Sequence, residues 1–336
     1  MAYEIMPSLV GSEMCIRDSI NADYDGGGEG SITQTGGNFL TNTLYATAPG
    51  EITLTQDTND LNYLNADSTV SGNILFSDTD DINLTDINTL QGNINISAGG
   101  IIIATDVQAG KGSVNLYTTT GGMELLNVFA DNDVTVLAES GNITINNSIS
   151  GNQTRITSSA GSITEIGTDA GIDITAHDLI LSATEGIGSA DNAIETGVDN
   201  LDAVNTNNNI HISNTGKLTL VDLNTDAYGI NNINGSTTII ASSPLTIAST
   251  ISSGKDITLQ ATENGGDDDN ITVSADVLST DGGMITFNAG ADFLQTSGTI
   301  VTAGGVNINA DYDGGGEGNI IQTGGSVNAG ILSANA

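Results

Sequence analysis

The chain has 336 residues with 43 Gly, 3 Pro, no Trp and a single Cys; 5 Lys plus Arg stand against 41 Asp plus Glu, for a formal net charge of −36. Such a surface repels nucleic acid and anionic lipid headgroups, so neither is expected as a partner. No apolar run reaches the ~18 residues of a membrane span, and Cys15 alone forms no intrachain disulfide.

Residues 1–19 show no repeat period and hold Cys15 and three of the five Met. They lack the basic start, apolar stretch and small-residue cleavage site of a signal peptide. The run MPSLVGSEMCIRDS resembles translated sequencing-adapter read-through. The segment is therefore read as a sequencing artefact outside the fold, with an N-terminal cap as the alternative. The array begins at Ile20. The block INADYDGGGEGSITQTGG at 20–37 returns as INADYDGGGEGNIIQTGG at 308–325, differing only at Ser31/Asn319 and Thr33/Ile321. The offset is 288 residues (308 minus 20). It points to a long-period repeat and to a fragment of a larger repetitive protein.

Short strands are expected at residues 51–56 and 73–77. From 92 to 159 the spacing becomes regular. Ile94, Val114 and Val134 recur every twenty residues, and Thr154 takes the next slot. A second register runs through Met123 and Leu125, Ile143 and Ile145, then Ile163 and Ile166. Each segment alternates apolar and polar, which buries one face of a strand and wets the other. β-Branched residues fill the segments and Gly, Asn, Asp and Ser the breaks between them. No window carries a helical stripe. A short strand pair cannot bury its own apolar face, so the next coil must stack upon it. The expected fold is all-β: a parallel β-solenoid, a right-handed β-helix with coils of about 20 residues, covering 20–336 as one array.

Residues 182–209 break the period and are read as one enlarged coil with an excursion onto the surface. Strands resume at Ile210-His211-Ile212 and Leu218-Thr219-Leu220 and continue to Val306–Ile308. The run ENGGDDDN at 263–270 reads as a degenerate copy of the acidic turn in the repeated block.

Strand openings of the form G-[NS]-[IV]-x-[IL] start at Gly92, Gly112 and Gly141; Gly161 begins alike but has Glu165 in the last place. With EGIGSADNAIETGVDNL at 185–201, IHISNTGKLTL at 210–220 and the acidic Gly-rich turn before Ile-Thr, the array resembles the repeat regions of filamentous-haemagglutinin-like adhesins, giant secreted bacterial proteins. The resemblance spans residues 20–336. It implies a right-handed β-helix, export across both membranes of a Gram-negative cell, and a place outside the cell or on its outer surface. The expected role is a structural and binding stalk of a secreted or cell-surface adhesin, without catalysis. Its partners would be a host or environmental glycan or protein and further repeats of the same chain. The family's NPN secretion motif does not occur here.

Two rival functions use the same fold. A carbohydrate-active β-helix enzyme fragment needs a base and cations, or paired acids, at a cleft. Lys111, Arg155, Lys217 and Lys255 are isolated in sequence, His177 and His211 stand alone, and Asp267–Asp269 reads as a solvated turn. No catalytic residue is assigned. A calcium-responsive surface-layer module rests on the repeated block. Asn21, Asp23, Asp25 and Gly26 follow the N-x-D-x-D-G spacing that opens a calcium loop, with Glu29 at position nine; Asn309, Asp311, Asp313 and Glu317 repeat it. Position twelve, where that loop wants a bidentate Glu, is Ile32 or Ile320. The competing reading is an acidic Gly turn whose Asp side chains cap the backbone. Binding would be in the weak range of extracellular modules, Kd ~10⁻⁴–10⁻³ M. No other cofactor is expected.

Overall fold

The computed structural model describes residues 3–4, 17–23, 25–167, 171–262, 269–314 and 318–336. Among them every regular element is a strand and none is a helix. Parallel strands stack as a β-solenoid with turns about 21 residues apart. The chain divides into two compact units, Met1–Gly161 and Ser162–Ala336.

In the first unit each coil supplies one long strand and one short strand. The long strands Leu40–Ala48, Asp60–Ser68, Ile82–Thr89, Ile102–Ala109, Met123–Ala130 and Ile143–Ser150 form one parallel ladder. The short strands Ile52–Leu54, Ile74–Asp78, Ile94–Ala98, Val114–Thr118, Val134–Ala138 and Gln153–Ser158 form a second. Ile94, Val114, Val134 and Thr154 lie in register, each fully buried, as the twenty-residue period requires. Each buried Val or Ile contributes about 1.5–3 kcal/mol relative to exposure.

The long strands turn a corner that the sequence pattern conceals. In Ile82–Thr89, Ile82 and Leu84 point inward, Thr85 and Asp86 both point outward, and Ile87 and Thr89 point inward again. Two successive outward residues break the period of two and bend the strand around the core. The glycines of the G-[NS]-[IV] openings have a steric cause. A Cβ on Gly112 would strike the carbonyl oxygen of Gly92 one coil away.

Strand pairing begins before Ile20. Asp18–Asn21 pairs with the strand Leu40–Ala48, and Tyr3–Glu4 pairs with Ile32–Thr33. The Arg17 guanidinium lies 4.3 Å from the centroid of the Tyr45 ring. Parts of the segment read as outside the fold thus pair with it; residues 5–16, Cys15 among them, lie outside the described residues.

In the second unit, residues 182–209 behave differently from the expected surface excursion. Ile194–Asn205, 12 residues long, pairs with Ile174–Ala183 on one edge. Its other edge meets three shorter strands, Ile210–Asn214, Leu218–Leu220 and Tyr228–Asn232. The alternation was hidden because buried positions are polar: Thr196 and Asn205 lie on the inward row, and Asp202, between inward Leu201 and Ala203, is buried on the opposite face beneath Leu223 and Asn224. Their polar atoms are served locally. Asn205 Nδ2 donates to Asn232 Oδ1 at 3.1 Å, and Thr196 Oγ1 donates to Asn214 Oδ1 at 2.9 Å.

From Ile210 onward three strands per coil build three ladders. The coils here are less uniform. Asn205 and Asn232 stack across 27 residues, whereas Asn73 and Asn93 in the first unit stack across 20. The extra residues go into the connections between ladders. Ile166, expected as an anchor of the second register, is 45 % exposed, because the strand Ile163–Glu165 ends just before it.

Candidate functional sites

The first repeated turn uses its side-chain oxygens on its own backbone. Asn21 Oδ1 accepts the Asp23 amide at 2.9 Å, and Asp25 Oδ1 accepts the Gly27 amide at 3.3 Å. Both carboxylate oxygens of Asp23 accept the Gly28 amide, at 3.0 and 3.1 Å. Gly26 and Gly28 take φ of +70° and +74°, the left-handed region that lets the turn curl around Asp23. Glu29 is exposed. A cation entering here would compete with those amides for the same lone pairs.

The second copy shares the turn but not every bond. Gly314 donates to the Asp311 carbonyl at 3.1 Å, as Gly26 does to Asp23 at 3.1 Å. Asn309, however, belongs to an amide ladder: it donates to Asn288 Oδ1 at 2.9 Å and accepts from Asn335 Nδ2 at 3.0 Å. Asp313 is exposed, and Glu317 lies outside the described residues. In the degenerate copy, residues 263–268 also lie outside them. Asp269 is only 2 % exposed, contrary to the solvated turn expected of it.

A loop that the sequence reading passed over follows the same logic. In Asp222-Leu223-Asn224-Thr225-Asp226, Asp222 accepts the Thr225 amide at 2.6 Å and the Ala227 amide at 3.0 Å. Asn224 accepts the Asp226 amide at 2.9 Å, and Asp226 accepts the Tyr228 amide at 2.9 Å. Behind the loop, buried Asp202 accepts the Leu223 and Asn224 amides at 2.8 and 3.0 Å. Burial pushes the Asp202 carboxyl up to about 6 despite those two amides, and the charges of Asp226 and Asp222 add to the rise.

Carboxyl groups converge at one place that the spacing did not disclose. Oxygens of Glu165, Asp173 and Glu195 all lie within 4.8 Å of one another. Glu165 closes the strand Ile163–Glu165, Asp173 precedes Ile174–Ala183, and Glu195 is the second residue of Ile194–Asn205. Main-chain bonds fix the pair across the ladder: the Asp173 amide donates to the Glu195 carbonyl at 2.9 Å, and the Glu195 amide donates to Asp173 Oδ2 at 3.1 Å. Burial raises the Glu195 carboxyl; a hydrogen bond with Glu165 opposes the rise and the Asp173 charge adds to it. Three carboxylates this close cannot all ionise without a counter-charge. A proton shared within the group or a hard cation with oxygen ligands would satisfy them. The available signal was Glu165 itself, a charge where the strand opening wants an apolar residue.

His177 and Lys217, read as isolated, meet at Asp199. His177 Nδ1 lies 2.9 Å from Asp199 Oδ2, and Lys217 Nζ lies 3.2 Å from Asp199 Oδ1. His177 and then Lys217 hold the Asp199 carboxyl below its ordinary range. The side chains are 58 %, 69 % and 41 % exposed for His177, Lys217 and Asp199, so water screens the network and its contribution is small. His211 is half-buried, and burial lowers its imidazole pKa. No protein-family model, curated protein or solved structure matches the chain.

Proposed function

We propose that the chain is a non-catalytic structural and binding segment of a secreted or cell-surface adhesin of a Gram-negative bacterium, similar to filamentous-haemagglutinin-like proteins. The observation that supports this reading is the outward face of the ladders. Asn62 Nδ2 donates to Asn42 Oδ1 at 2.9 Å, Asn115 to Asn95 at 2.7 Å and Asn147 to Asn127 at 2.7 Å, while the Ser77 and Ser97 hydroxyls lie 3.0 Å apart. Stacking at about 4.8 Å per coil repeats each amide or hydroxyl at a fixed interval. Such rows offer donors and acceptors to the hydroxyls of a glycan or to the backbone of a partner protein.

The test is binding of the labelled 336-residue chain to glycan arrays and to immobilised surface proteins, run beside an assay for new reducing ends on a polysaccharide panel. Saturable binding without product formation supports the reading. Turnover of any polysaccharide, or failure to bind either class of surface, overturns it.

A further inference from the structure

The first unit keeps carboxylates off one of its faces. No Asp or Glu points outward from the short strands between Ile52 and Ser158; the one acid within them, Asp78, points inward and is buried. The long strands of the same coils turn Asp67, Asp86, Asp106 and Glu124 outward, in a chain with 41 Asp plus Glu. Leu75, Tyr117 and Leu137 lie half-buried on the neutral face, and exposed Glu51, Asp133 and Glu139 border it. Arg155 is the single charged side chain on it, and among the described residues Arg155 makes no ion pair. Few charges at the centre, Tyr and Arg among the contacts, and a charged rim are the anatomy of a protein interface.

We propose that this face joins two copies of the chain, packed face to face about a two-fold axis that runs along the strands between Ile94–Ala98 and Val114–Thr118. Thr53, Leu75, Asn95, Asn115, Thr135 and Arg155 stand in one ladder register. The axis reverses the stacking direction, so Asn95 of one copy meets Asn115 of the other, and Leu75 meets Thr135. In the neighbouring row, where Ser77, Ser97, Tyr117 and Leu137 are in register, Tyr117 meets Ser97 and Leu137 meets Ser77. Large residues thus face small ones. Arg155 arrives over Thr53, whose Oγ1 donates to Glu51 Oε1 at 3.0 Å, so guanidinium and carboxylate face each other at both ends of the contact. Keeping the stacking directions parallel would instead bring the two Arg155 side chains together. Five coil steps of about 4.8 Å by about 16 Å of strand give roughly 400 Å² per copy. A standard interface buries about 800 Å² per partner, so the dimer is weak. A charge of −36 on each copy opposes it, so screening by salt strengthens it.

Sedimentation equilibrium of the 336-residue chain up to about millimolar concentration, with reductant to keep Cys15 a thiol, reads the association. The expected result is a monomer–dimer equilibrium that stops at the dimer and tightens as salt rises. Leu137→Glu weakens it at least ~10-fold, with the far-UV spectrum retained. Ser97→Asp is the second variant if Leu137→Glu does not fold. Arg155→Glu and Glu51→Arg each weaken the dimer, and the two together restore it. Tyr63→Glu, at a residue 41 % exposed on a long strand, leaves it unchanged. A monomer at every concentration and salt overturns the proposal, and loss of glycan or protein binding in Leu137→Glu would then give the face to that ligand. An association that survives both Leu137→Glu and Ser97→Asp belongs to another surface and overturns it. Failure of the charge exchange to restore the dimer overturns the antiparallel arrangement.

Discussion

Thr154 occupies a slot in a column otherwise filled by Ile94, Val114 and Val134, and it is fully buried. Its Oγ1 is buried without a hydrogen-bond partner. A Thr→Val exchange in a core ordinarily loses a hydrogen bond and costs stability. Here there is none to lose. Leaving a buried hydroxyl unsatisfied costs roughly 1–3 kcal/mol, and valine has the same branched shape, so Thr154→Val is expected to stabilise the first unit by about 1–2 kcal/mol. The mirror change, Val134→Thr, places a hydroxyl one coil away in the same column and is expected to destabilise by about 1–2 kcal/mol. Urea unfolding followed by far-UV circular dichroism measures both, read as the shift in midpoint at unchanged slope. The chain has two compact units, so the transition of the first is assigned by hydrogen exchange at Val134–Ala138. Equal signs for the two exchanges, or a lower midpoint for Thr154→Val, would refute the argument.

Val114→Asp places an unpaired charge inside the same column and is expected to cost about 3–5 kcal/mol, seen as early melting of the first unit. Asp78 is buried, and burial raises its carboxyl to about 7 although the Asp80 and Leu61 amides bond to it. Its folded pKa therefore exceeds the unfolded value of 3.8, so its favourable protonated state is complete below pH 3.8 and its contribution is lost as pH rises through about 7. Asp78→Asn should flatten that fall in a pH series of unfolding midpoints; an unchanged slope counts against it. Glu195 is likewise raised from 4.5, so Glu195→Gln should gain stability on the alkaline side, where the wild-type group is ionised. Calorimetric titration with millimolar calcium tests the acidic turns. The amide bonds to Asn21, Asp23 and Asp25 predict no heat and no thermal shift, and a heat abolished by Asp23→Asn with Asp25→Asn would show that the cation displaces them.

The period of the sequence determined that the chain is all-β, parallel and stacked. Apolar residues at constant spacing can be buried together only if each coil repeats the one before. Ile94, Val114 and Val134 carry that information without reference to anything distant, and their glycines mark the close approach of successive coils. The N-x-D-x-D alternation was equally legible, but it does not distinguish an oxygen facing a cation from one facing an amide; the folded turn gives Asp23 to the Gly28 amide. Only the tertiary structure decided the corners, because Thr85 and Asp86 are both polar and nothing local says that the strand bends between them. It alone also turned Thr196 and Asn205 inward and laid a loop over Asp202 on the opposite face, where neighbouring amides and side chains make polar burial tolerable. The meetings of Glu165 with Asp173 and Glu195, and of His177 with Asp199 and Lys217, depend on coil length. Where coils are uniform, spacing tells which residues lie over one another. In the second unit the coil lengthens, as between Asn205 and Asn232, and hydrogen-bonded register rather than sequence distance sets the neighbours.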